Sequence, residues 1–88
     1  MTLSDWIART LEERLQPTRL AVLDESNQHV GHGGWREGGE THFRVDIVSD
    51  AFSGKTRVER HRLVNEALKG AFDLGLHALA IQAKAPGE

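Results

Sequence analysis

The chain has no cysteine. It can form no disulfide and no self-contained thiolate site, so soft-metal chemistry would rest on its five histidines, with thiolates supplied by a partner. It has no apolar run approaching the roughly 20 residues that span a bilayer. The opening MTLSDWIARTLEERL lacks the basic start and apolar stretch of a secretory signal, and a cytoplasmic location is expected. Positive charge is not in excess either: 11 Lys and Arg face 13 Asp and Glu, for a net charge of −2 with histidines neutral. That disfavours diffuse binding to nucleic acid, which needs a positive field, but leaves room for a local basic patch. There is no HExxH spacing, no Gly-rich phosphate loop at a strand–helix junction and no nucleophile with an evident base, so the chain is not expected to be an enzyme.

What is present describes one small globular domain over residues 1–88, with 39% hydrophobic and 27% charged residues. Leu3, Trp6, Ile7, Leu11 and Leu15 recur at spacings of three and four, the stripe of an amphipathic helix. Thr2 or Ser4 would cap it, and Pro17 would stop it. Residues 19–23 (RLAVL) read as a short strand. Residues 41–49 (THFRVDIVS) read as a clearer one, with Phe43, Val45 and Ile47 alternating with Arg44 and Asp46. Between them, residues 24–40 carry five glycines and much polar material. So long a connection is often functional, and this one is expected to be the most mobile internal segment. AFSGK (51–55) reads as a turn, followed by a capping box at Thr56 and Glu59. The helix behind it is expected to run to Phe72 with Val64, Ala67, Leu68, Ala71 and Phe72 buried. Gly75 would end it, and residues 76–83 would form a third strand.

The order αββαβ makes an α+β domain, a three-stranded mixed sheet with two helices on one face and the other face solvated. The first two strands would pair antiparallel, and the third would lie parallel through a right-handed crossover.

The histidines then need placing. His77 shares strand parity with Leu79 and Ile81 and, from the residue pattern alone, reads as a core-edge histidine. His29 reads as a turn cap. His42 takes the parity opposite to Phe43 and reads as structural, on the wet face. His61, three before Val64, reads as a satisfied core histidine. His29 and His32 stand three apart in HVGH, a spacing a zinc or copper ion can use, but the surrounding glycines give it no fixed geometry. Lys55, Arg57, Arg60 and Arg62 cluster at the start of the second helix with only Glu59 opposing. They form a candidate phosphate site, a dock for an acidic partner, or a plain solvated face.

The segments DESNQH, ETHFRVDIVSDAFSGK, VERHRLVNEAL and LHALAIQAKAP together span most of residues 20–86, and their order resembles the BolA family. The resemblance implies a small αββαβ fold similar to the type II KH fold. It implies a monothiol glutaredoxin as partner, in a heterodimer, and a part in iron–sulfur cluster handling, with no membrane involved. Some members are also described as DNA-binding regulators of stress response and morphology. The family divides by whether the first loop supplies a histidine or a cysteine; with no cysteine, this chain resembles the histidine type, and its loop carries an extra GHGGW.

A [2Fe–2S] cluster needs four terminal ligands, and two histidines can serve one iron. By the resemblance, His77 is the fixed ligand, His29 matches the loop ligand and His32 competes with it. A glutaredoxin cysteine and glutathione would hold the other iron, and no cluster is expected on the isolated protein. The alternative function is DNA binding through Lys55, Arg57, Arg60 and Arg62, and a third is a plain interaction module without metal. The turn Phe52-Ser53-Gly54-Lys55 occupies the place of the KH backbone-clamping loop, which is an analogy of fold only.

Overall fold

The structure, a computed structural model, describes residues 2–25 and 42–88. His29, His32 and the expected mobility of the long loop beyond Glu25 lie outside the described residues.

Helix α1 spans Leu3–Leu15, and its stripe forms as the spacing requires: Leu3, Ile7, Leu11 and Leu15 are buried, with Trp6 packed partly against them. Of the two candidate caps, Thr2 serves. Its hydroxyl accepts the Asp5 N–H at 3.1 Å, while the Asp5 carboxylate accepts the Thr2 N–H at 3.3 Å. Those bonds hold the Asp5 carboxyl below its ordinary pKa. At the other end, Pro17 disfavours the right-handed helical region for Gln16, which turns out at φ 46 and closes the helix.

Three strands form one sheet in the order β1 (Arg19–Asp24), β2 (His42–Val48), β3 (Ala78–Lys84). β1 pairs antiparallel with β2, and β3 pairs parallel with it, the topology expected. Phe43, Val45 and Ile47 on β2 point into a core shared with α1 and the second helical segment. The opposite face carries exposed Arg19, Ala21, Arg44, Ala80 and Gln82. β3 begins two residues later than the pattern suggests, at Ala78, which leaves His77 before the strand.

The second helix departs from expectation. α2 (Arg57–Ala67) starts with the anticipated capping box, the Glu59 carboxylate accepting the Thr56 N–H at 2.8 Å and the Thr56 hydroxyl accepting the Glu59 N–H at 3.2 Å. It then breaks at Leu68 (φ −100, ψ 13), and α3 (Lys69–Asp73) follows. The break keeps Leu68 and Ala71 buried but turns Phe72 out of the stripe to 45% exposure. Gly70 lies under the Trp6 ring, where an added Cβ would stand 3.4 Å from two ring carbons. Gly75, at φ 113, supplies the left-handed turn that leads into β3.

The ends of these elements meet at Ser49, which is 1% exposed. Its hydroxyl donates to the Leu15 carbonyl, one of the carbonyls that the end of α1 leaves without a helical partner, and accepts the Ala51 N–H at 3.1 Å. Its own N–H donates to the Lys84 carbonyl at 3.0 Å. Ser49→Ala would strand both groups in a dry junction and should destabilise the fold by about 1–3 kcal/mol. Thr56→Ala, at an exposed cap, should cost about 1 kcal/mol. Urea unfolding of the two variants checks this. A Ser49→Ala loss no larger than measurement error would remove Ser49 from the junction role.

Candidate metal-binding histidines and the neighbouring basic groove

The sheet has two unlike ends. At one, β2 and β3 both begin: His42 is the first residue of β2 and pairs in register with Ala78, so His77 lies directly beside it. The two imidazoles are in contact, with ring centroids 5.7 Å apart and planes inclined at 42°. His77 is exposed, whereas His42 is only 8% exposed. Two expectations are corrected here. His77 is not a core-edge histidine, because the chain has not yet entered β3 and strand alternation does not apply to it. His42 is not on a wet face, because its ring sits against that of His77.

The same end anchors the long loop. Asp24 pairs with Phe43, the Glu25 N–H donates to the His42 carbonyl at 2.8 Å, and Arg44 Nε meets the Glu25 carboxylate at 3.3 Å. The segment from 26 to 41 thus leaves from Glu25 and returns at His42, at the sheet end where His77 lies: His42 is next to His77, and Glu25 is on the far side of β2 from it. Among the described residues, no group of three or more His, Asp or Glu side chains is gathered for a metal ion. His61, expected in the core, is half-buried; α2 buries Val64 and Ala67, and the stripe does not extend back one turn to the histidine.

The four cations divide between two grooves that share Lys55. Lys55, Arg57 and Arg60 line a groove of about 470 Å³ between α2 and β3, together with His61 and Lys84. Arg62 faces a second groove, of about 610 Å³, with Glu59 and Glu66, and Lys55 lines both grooves. Arg60 is also fully engaged: its Nε donates to the Lys55 carbonyl at 2.9 Å, one terminal nitrogen reaches the Ala83 carbonyl at 3.3 Å, and the guanidinium grips the Glu88 carboxylate, 2.7 Å at its second nitrogen. Glu59 is therefore not the only opposing acid. Arg60, aided by the Ala85 N–H at 3.0 Å, lowers the Glu88 pKa to about 2. Residues 60 and 88 lie far apart in the chain, and no local pattern announces their pairing.

An αββαβ domain with an exposed histidine just before its third strand is the class of protein that this geometry defines. Residues 11–88 match the family model described as BolA-like protein, and the chain belongs to that family. It is 52% identical over 89 residues to an uncharacterized protein in the cobS 5' region of Sinorhizobium sp., covering 100% of this chain and 96% of that one. It is 50% identical over 86 residues to SufE-like protein 1, chloroplastic/mitochondrial, of Arabidopsis thaliana, covering 93% of this chain and 23% of that protein, so it spans about a quarter of that relative. The solved structure of BolA1 from Arabidopsis thaliana superposes with a TM-score of 0.86 at 39% identity, over 100% of this chain and 96% of that one. No helix among the described residues is long and apolar enough to cross a membrane.

The Glu88 carboxyl should titrate near pH 2 by side-chain NMR, and in Arg60→Gln it should return toward the ordinary 4.5. Because its folded-state value lies below that of the unfolded chain, the pair's stabilisation is present above about pH 4.5 and is lost as pH falls toward about 2. An unshifted Glu88 in the native protein would show the pair to be absent in solution.

Proposed function

We propose that this protein is an accessory factor of iron–sulfur cluster assembly or trafficking, acting without enzymatic chemistry of its own. It binds a monothiol glutaredoxin as a heterodimer and shares a [2Fe–2S] cluster with it through histidines. The observation that supports this most directly is the exposed imidazole of His77 at the sheet end where both stems of the histidine-bearing loop are anchored. His29 is four residues beyond Glu25, within about 14 Å of it along an extended chain, so the loop ligand has the reach to meet His77. The donor set fits the group: imidazole is a good iron ligand, two of them satisfy one iron, and a chain without thiols is complete only when a partner's cysteine and glutathione supply the rest. When bound, the cluster would bring electron-accepting and transferable iron–sulfide chemistry. The chain's own part is to present imidazole nitrogen at one accessible edge.

The DNA-binding alternative draws less support. It needs Lys55, Arg57, Arg60 and Arg62 to act together, yet Arg60 is held by Glu88 and Arg62 faces another groove.

Alone, the protein should purify colourless. With a monothiol glutaredoxin and glutathione it should form a coloured heterocomplex that, after one-electron reduction with dithionite, shows imidazole nitrogen coupled to iron in pulsed electron paramagnetic resonance. His77→Ala should abolish the nitrogen signature while leaving the fold intact. His29→Ala should weaken it, partially if His32 substitutes. A wild-type spectrum from His77→Ala would end this reading.

A further inference from the structure

The contact between His42 and His77 is not explained by the core, and sequence parity assigns His42 no role. We infer that the two histidines form a site of their own for a divalent metal ion of borderline softness, such as Zn²⁺ or Cu²⁺. Imidazole nitrogen is a natural ligand for these ions.

With metal–nitrogen distances of about 2.0–2.1 Å, two imidazoles on one tetrahedral ion place their ring centres roughly 5 Å apart. The observed separation is 5.7 Å, with the planes inclined at 42° rather than stacked face to face. The separation and tilt put both rings within reach of one ion, provided that one nitrogen of each turns toward it and the ligand angle opens beyond tetrahedral. His42 is the rigid member: it is 8% exposed and fixed by the β2–β3 register opposite Ala78. His77 is the accessible member, exposed just before β3, and gives an ion its route in. On each ring one nitrogen meets the ion and the other is left to a hydrogen bond, the pattern that orients metal-bound imidazoles. No third protein ligand is gathered there among the described residues, so water completes the coordination and the site keeps open positions.

The rival explanation is plain packing, since aromatic rings commonly pair at centroid distances of about 4.5–7 Å. A metal separates the two. The site shares His77 with the proposed cluster site but requires no glutaredoxin, glutathione or iron. It is therefore tested with metal alone, and its failure leaves the cluster proposal to its own experiment.

The test is a Zn²⁺ titration of the full chain followed by long-range ¹H–¹⁵N NMR of the histidine rings. It is run on the unmodified protein and on a His29→Gln, His32→Gln variant that removes the loop imidazoles. In both, the ring nitrogens of His42 and His77 should shift together and saturate at one ion per chain, with His61 unmoved. In the loop-substituted variant, His42→Gln should weaken Zn²⁺ binding tenfold or more, and His77→Gln should abolish the His42 response. His42 ring signals that stay unchanged at saturating Zn²⁺ would overturn the site and leave a packing pair only. That readout needs no substitution at the buried position and so survives any variant that fails to fold. Equal affinity in a folded His42→Gln variant would overturn it too.

Discussion

The hydroxyl of Ser49 carries the junction on which the rest of the molecule depends. It satisfies the carbonyl at the end of α1 and the amide that opens the turn after β2, while its backbone N–H reaches the end of β3. Beside it, the Thr18 N–H donates to the Val48 carbonyl at 2.8 Å and brings in the start of β1. Four segment ends are thus closed at one pole by hydrogen bonds around the buried Ser49 hydroxyl, whose own partners would cost free energy if left unmet. Closing that pole leaves the opposite one to the loop stems and the two histidines.

The two poles separate two kinds of chemistry. β2 runs seven residues between them, roughly 20 Å at strand rise. The Ser49 pole carries a fixed ion pair: Arg60 clamps Glu88 against the Lys55 and Ala83 carbonyls, a contact that ties α2 to the chain beyond β3. The histidine pole carries the paired imidazoles of His42 and His77 beside the Arg44–Glu25 ion pair. A partner that reads one pole does not have to disturb the other, because the hydrophobic core between them is shared by every element and resists deformation.

Much of this fold was legible in the chain. The αββαβ order, the α1 stripe, the alternation in β2 and the Thr56–Glu59 box are all local patterns, and local patterns survive folding when tertiary packing agrees with them. The resemblance to the BolA family rests on motifs of that kind, and the family match bears it out. Phe72 shows where periodicity fails: the stripe assumes one continuous helix, and the break at Leu68 rotates everything after it. His42 shows where parity fails. Alternation assigns a side of the sheet, but at a strand's first residue the neighbouring chain decides what covers it.

The sequence by itself determined the order of helices and strands, the apolar faces of α1 and β2, and that any thiolate for a soft metal must come from elsewhere, because those are matters of spacing and composition. Only the tertiary structure decided which side chains meet. His42 and His77 are joined by a parallel pairing across 35 residues, Arg60 and Glu88 by the return of the chain past α2, and Ser49 and Leu15 by the packing of α1 on the sheet. Contacts of that range depend on sheet register and helix placement, which arise from the summed burial of the whole core and leave no mark in any one stretch of residues.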